Sequence, residues 1–112
     1  MHSTELSVHT GGVRGLVDLT GACERFVAEA AAGGDGLLSV FLPHATAGLV
    51  VVETGAGTEE DLVAALDGIL PRDRRWRHRH GSPGHGADHV LPLLAPPTLT
   101  MPVIAGRLAL GT

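Results

Sequence analysis

Apolar and polar positions alternate along residues 5–10 (ELSVHT), the pattern of a strand with one buried face. The period then changes. Over residues 18–34 Cys23, Phe26, Val27 and Ala30 recur at helical spacing, with Thr20 placed to cap the start and Gly33-Gly34 to end it. Residues 36–43 (GLLSVFLP) and 48–53 (GLVVVE) are β-rich runs of strand length, separated by His-Ala-Thr-Ala. A second helix is signalled by Thr58 as N-cap and by Glu59, Glu60 and Asp61 in the first turn, where the helix dipole favours negative charge. Its buried stripe is Leu62, Val63, Leu66, Ile69 and Leu70, and Pro71 ends it. A loop rich in Arg and His follows, interrupted by Gly81, Pro83, Gly84 and Gly86, with room for a short helical turn near Gly86. The closing residues 97–112 read as two strands joined at Ala105-Gly106. Strands grouped around two main helices, without regular βαβ alternation, predict an α+β fold with a mainly antiparallel sheet, in one domain over residues 1–112. The final apolar pattern runs to the last residue, so the last strand is expected to be an edge or to pair with another subunit.

Composition narrows the class. With 112 residues, 44% hydrophobic and 18% charged, the chain has the make-up of a globular domain. One Trp, two Phe and no Tyr leave the core to Val, Leu, Ile and Ala. A formal charge of −4 argues against general nucleic-acid binding, which needs a basic footprint. The longest apolar runs fall far short of a membrane span, and the N-terminus lacks a basic region followed by an apolar one. The cytoplasm is therefore the expected location. Cys23, the single cysteine, excludes an intrachain disulfide and a Cys-based zinc finger, and its place on the first helix assigns it to the core.

Candidate chemistry gathers in residues 76–90 (WRHRHGSPGHGADHV), which hold His78, His80, His85 and His89. In an extended segment His78 and His80 point to one side; in a helical turn His85 and His89 share a face. Neutral imidazole is the commonest metal ligand, yet the spacing matches no tight metal signature, and a solvated His-rich loop is the competing reading. Arg72, Arg74, Arg75, Arg77 and Arg79 crowd the same region. Arginine is shaped for bidentate phosphate contact, though a charged loop beside an acidic helix would look the same. His44 follows an apolar run and precedes Ala45, Thr46, Ala47 and Gly48, small residues that would admit a ligand; a backbone-bonded structural histidine is the alternative. Glu53 is either solvent-exposed, a partner that orients a histidine, or a general base. Asp61 is assigned to the helix N-terminus rather than to chemistry.

Taken in order, FLPHATAGLVVVETGAGTEEDL, WRHRHGSPGHGADHVLPLL and PTLTMPVIAGRLALGT resemble the YjbQ-like family, also called the secondary thiamine-phosphate synthase family. The resemblance covers essentially the whole chain and is carried by the motif at His44, by His89 before a Leu-rich stretch, and by the closing Gly-Arg-Leu-x-Leu-Gly-Thr. It implies a compact α+β fold, a homotrimer, and a histidine-rich pocket for a divalent metal, zinc above others. It also implies weak thiamine-phosphate synthase activity, joining a pyrimidine diphosphate to a thiazole phosphate, or else a metal- or ligand-binding trimer without turnover. By position, His44, His78 and His89 are the implied ligands, His85 is an added fourth or a substitute, and His80 is a bystander. Thr46 and Glu53 are the implied catalytic residues, and Arg77 and Arg79 the implied phosphate contacts. Val52 and Thr54 depart from the family pattern around Glu53, and family chains continue past Leu-Gly-Thr into further strands.

Overall fold

The structure is a computed structural model that describes residues 1–111. Helix α1 (Thr20–Ala31), strand β1 (Gly36–Phe41), helix α2 (Thr58–Ile69), helix α3 (His85–Val90), a 3-10 turn (Leu91–Leu93) and strands β2 (Thr98–Ile104) and β3 (Arg107–Leu108) follow in that order. The three strands form one sheet in the order β1-β2-β3, and β2 and β3 run antiparallel with Val103 opposite Leu108 and Ile104 opposite Arg107. The α+β class with an antiparallel sheet is as predicted, as is the turn at Ala105-Gly106, where both residues have positive φ.

Contacts gather in two units, Met1–Ser39 with Thr100–Thr112, and Val40–Leu99. In the first, α1 packs on β3, and Val27, Leu38, Val103 and Leu108 are the buried apolar residues. Its helix starts one step differently from the prediction. Thr20 is the first helical residue, not the cap, and the Asp18 carboxylate accepts its backbone N–H at 2.9 Å. Hydrogen bonding from Thr20, by its hydroxyl first and then its backbone N–H, holds the Asp18 carboxyl below its usual range. The helix ends through Ala32 in the left-handed region and Gly33, with Gly34 N–H donating to Ala31. Gly106 approaches Gly33 so closely that a Cβ on it would stand 2.9 Å from the Gly33 backbone.

In the second unit the start of α2 also differs: Gly57 with φ 88° takes the cap position expected of Thr58. The Glu59 carboxylate reaches back to accept the Gly55 N–H, satisfying one of the free donors ahead of the helix. The apolar stripe of α2 is only half covered: Leu62, Val63 and Leu66 are partly exposed, Leu70 is buried at 4%, and Ile69 stands 62% exposed.

Two expected strands do not form. Among the described residues, 5–10 have no sheet partner, and Leu6 and Val8 are exposed. Residues 48–53 also have no strand, and the reason lies opposite them. Leu42 and Leu49 donate their N–H groups to Pro97 and Pro96, but a proline has no N–H to return. The pairing is one-way, no ladder propagates, and Val50, Val51 and Val52 stay exposed. At the chain end β3 is only two residues long, although Ala109 still donates to Pro102. Its predicted continuation includes Thr112, outside the described residues.

Because Leu70 is buried and its neighbour is not, the two respond differently to truncation. Leu70→Ala is expected to destabilise the protein by about 2–5 kcal/mol, whereas Ile69→Ala stays within about 0.5 kcal/mol. Urea unfolding of both variants checks this; equal losses would place Ile69 in a covered position.

Candidate metal centre

The centre is built within residues 71–90. Pro71 ends α2, and the Trp76 indole N–H bonds back to the Pro71 carbonyl at 2.8 Å, closing the first arc of the loop. The chain then passes His78 and His80 without regular secondary structure and turns at Gly81 (φ 82°) and Gly84 (φ 81°) into the short helix α3. His85 and His89 sit four apart on α3, so both project from one face. The helical turn near Gly86 is thus present and begins at His85.

Four imidazoles converge. One ring nitrogen from each of His78, His80, His85 and His89 lies within 4.8 Å of the others. Ring centroids are 4.1 Å apart for His78–His80 and for His78–His89, and 4.5 Å for His85–His89. His85 Nε2 and His89 Nε2 are 2.9 Å apart, so in the neutral metal-free pair one donates to the other. Ligand nitrogens in a tetrahedral zinc site stand about 3.3 Å apart, given metal–nitrogen bonds of about 2.0–2.1 Å. The pair therefore needs to open by only a few tenths of an ångström. In donor type and number the four residues fit a divalent ion, and nitrogens standing up to 4.8 Å apart would close toward that spacing on binding.

The implied site residues fall out unevenly. His78, His85 and His89 come together, and His80, read from sequence as a bystander, joins them. His44 is not in the group. It lies in an exposed turn where its Nδ1 accepts the Thr46 N–H at 3.2 Å and meets the Thr46 hydroxyl at 3.1 Å, which leaves the proton of a neutral ring on Nε2. Thr46 is thereby tied to His44, and Glu53 is exposed. Gly48, expected to admit a ligand, instead admits its own chain: a Cβ there would collide with the Ala95 carbonyl oxygen.

The arginine run divides. Arg75 is held by Asp73 through a 2.8 Å ion pair, and Arg72 pairs with Asp88 at 3.1 Å. Arg74 and Arg79 line a cavity of about 250 Å³ together with Asp73, Trp76, His78, Ser82 and the backbone of Gly81 and Gly84; Arg77 is not among its walls. Arg79 Nε also donates to the Trp76 carbonyl at 3.2 Å, which steadies its guanidinium. His78 belongs to both the cavity and the cluster. Arg74 carried no signal in the sequence beyond its membership of the run, because spacing cannot show which arginines Asp73 and Asp88 engage.

The chain is thus an α+β protein in which a four-imidazole cluster adjoins a cavity lined by Arg74 and Arg79. Residues 4–112 match the family described as UPF0047 protein YjbQ-like, and the chain belongs to that family. It is 56% identical over 112 residues to a UPF0047 protein of Mycobacterium tuberculosis, covering all of this chain and 81% of that protein. Among solved structures, a YbjQ-like protein of unknown function from Sulfolobus solfataricus matches with a TM-score of 0.77 at 26% identity, over 86% of this chain and 68% of the other. A conserved hypothetical protein from Thermus thermophilus matches at 36% identity with a TM-score of 0.70, over 87% and 73%. Among the described residues no helix is long and apolar enough to cross a membrane.

Crowding also shifts one proton equilibrium. His78 is held below the usual histidine range, first because its neighbours displace water from the ring, then by repulsion from His80 and His89. A folded-state value below the unfolded one means that this contribution to stability is present above about pH 6.5 and is lost as pH falls. In metal-free protein the His78 ring is expected to titrate below the ordinary histidine range, as followed by its NMR ring protons. A midpoint within that range would show that the cluster does not exclude water.

Proposed function

We propose that this chain binds a divalent metal ion, zinc above others, through His78, His80, His85 and His89, and a small phosphorylated molecule in the adjoining cavity. The observation that carries this reading is the convergence of four imidazole nitrogens within 4.8 Å. The cavity supports the second part: Arg74 and Arg79 supply guanidinium donors for phosphate oxygens, and His78 links that space to the cluster. A bound ion would add positive charge where a diphosphate group develops negative charge. Around it, Arg79, steadied by the Trp76 carbonyl, orients the phosphate, and the Trp76 ring forms an apolar wall that limits water. Thiamine-phosphate synthesis, implied by the resemblance, is the reaction proposed for such a pair of sites, as a weak activity.

One observation favours a second reading, a metal- or ligand-binding module without turnover. Four protein ligands complete the tetrahedral set of a structural zinc site, whereas a catalytic zinc usually keeps one position open. In either reading the assembly is proposed to be a homotrimer, which the exposed Val50, Val51 and Val52 favour by offering apolar surface to a second copy.

Protein made without a polyhistidine tag, in zinc-supplemented medium, is expected to carry about one zinc per chain by elemental analysis. His89→Ala and His78→Ala are expected to lose most of it, and His44→Ala to keep it. Metal-free wild type would defeat the reading. With the pyrimidine diphosphate and thiazole phosphate as substrates, turnover that disappears in His78→Ala and falls in Arg79→Ala supports the enzyme. Zinc binding with no turnover above a protein-free control supports the module. A single mass of three chains across a range of concentrations, by light scattering, is the outcome expected for the assembly.

A further inference from the structure

The two limbs of the cluster are separate pieces of chain, and something must hold them at ligand distance. Glycine makes the approach sterically possible at two places. A Cβ on Gly86 would stand 2.5 Å from the Trp76 Cβ and 2.8 Å from the His78 carbonyl oxygen, so α3 lies directly on the limb that carries His78. A Cβ on Gly84 would stand 2.5 Å from the Arg72 Cβ and 2.6–2.7 Å from the Arg72 backbone. Close approach alone leaves α3 free to swing about these contacts. Its direction needs a second point of attachment further along the helix.

Arg72 supplies that point. Its backbone meets α3 at Gly84, and its guanidinium bonds the Asp88 carboxylate at 3.1 Å, four residues on. The pair is largely shielded, with side chains 30% and 17% exposed, unlike the open pair of Arg75 with Asp73 at 61% and 44%. Asp88 immediately precedes His89, and Arg72 begins the segment that leads to His78. We infer that Arg72 and Asp88 are positioning residues for the histidine cluster: their ion pair fixes the axis of α3, and with it the angle at which His85 and His89 face His78 and His80. The inference rests on the metal-binding reading above and adds residues that touch no metal. It also removes Arg72 from the phosphate-binding set, since its guanidinium is committed to the scaffold.

The test uses untagged full chain as wild type, Asp88→Asn, Arg72→Gln and Arg72→Lys. Zinc affinity is measured by competition with a chromophoric chelator, the cobalt(II)-substituted proteins are compared by visible absorption, and the metal-free proteins by thermal unfolding. Asp88→Asn and Arg72→Gln are expected to bind zinc about 10- to 100-fold more weakly, the range for residues that orient metal ligands. Their cobalt spectra are expected to lose the intensity of a regular tetrahedral site. Arg72→Lys, which keeps the charge but not the fork, is expected to recover part of both. A purely structural role would lower the metal-free unfolding temperature while leaving affinity and spectrum unchanged, and that result overturns the inference. Should Asp88→Asn fail to fold, the two Arg72 variants decide by the same criteria. Wild type that binds no zinc overturns the metal reading itself, whereas wild-type binding with unaltered Arg72→Gln overturns only the positioning role.

Discussion

The histidine cluster depends on one steric constraint, the closeness of α3 to the chain that precedes it. Gly86 lies against Trp76 and the His78 carbonyl, and Gly84 lies against Arg72. Any side chain at either position would push the helix away from the limb by more than the slack a metal site tolerates, since bond lengths there are set to about 0.2 Å. Around these contacts the loop is tied by hydrogen bonds rather than by a large core. Trp76 bonds to Pro71, and Arg72 to Asp88, while Ala87 is the buried apolar anchor of α3. The site is therefore held chiefly by local interactions within about twenty residues, which is how a six-residue helix, too short to persist alone, keeps its histidines in place.

The backbone from Leu42 to Val52 follows a different constraint. Pro96 and Pro97 accept hydrogen bonds from Leu49 and Leu42 but return none, so the valine-rich run that follows Leu49 is not drawn into a paired strand. Composition made this run the most β-prone in the chain, and propensity is real there: three consecutive valines suit a pleated surface. What composition cannot supply is a neighbour with donors as well as acceptors. The same distinction explains residues 5–10, where alternation is present and no ladder partner is found among the described residues.

Elements whose signals are local were legible. The helices α1 and α2 are set by apolar spacing, by Ala32 and Gly33 with positive φ at the end of α1, and by acidic residues at the start of α2; the β2–β3 turn is set by Ala105-Gly106. Their caps were less so, because Thr20 and Thr58 look like caps in sequence while Asp18 and Glu59 provide the bonds from one turn away. At the candidate site, spacing would put His78 and His80 on one side of an extended segment and His85 and His89 on one face of a helix, and the four ring nitrogens converge. The resemblance then set His80 aside and substituted His44, whose ring is engaged with Thr46. Geometry restores the plainer expectation, in which neighbours in sequence are neighbours in space.

The arginine run shows why charge counted along a sequence misleads. Five arginines in eight residues suggest a strong anion site. Two of them are engaged by acids inside the same loop, Asp73 and Asp88, and so act as struts. Only Arg74 and Arg79 face the cavity, and Asp73 shares that cavity with them. Two guanidinium groups beside a carboxylate make a weakly positive space, to which, under the proposed function, a metal at the cluster would add charge. Under the proposed function, anion binding in the cavity and metal binding at the cluster are linked: each supplies charge that the other lacks, and occupancy of either site raises affinity at the other by the same factor.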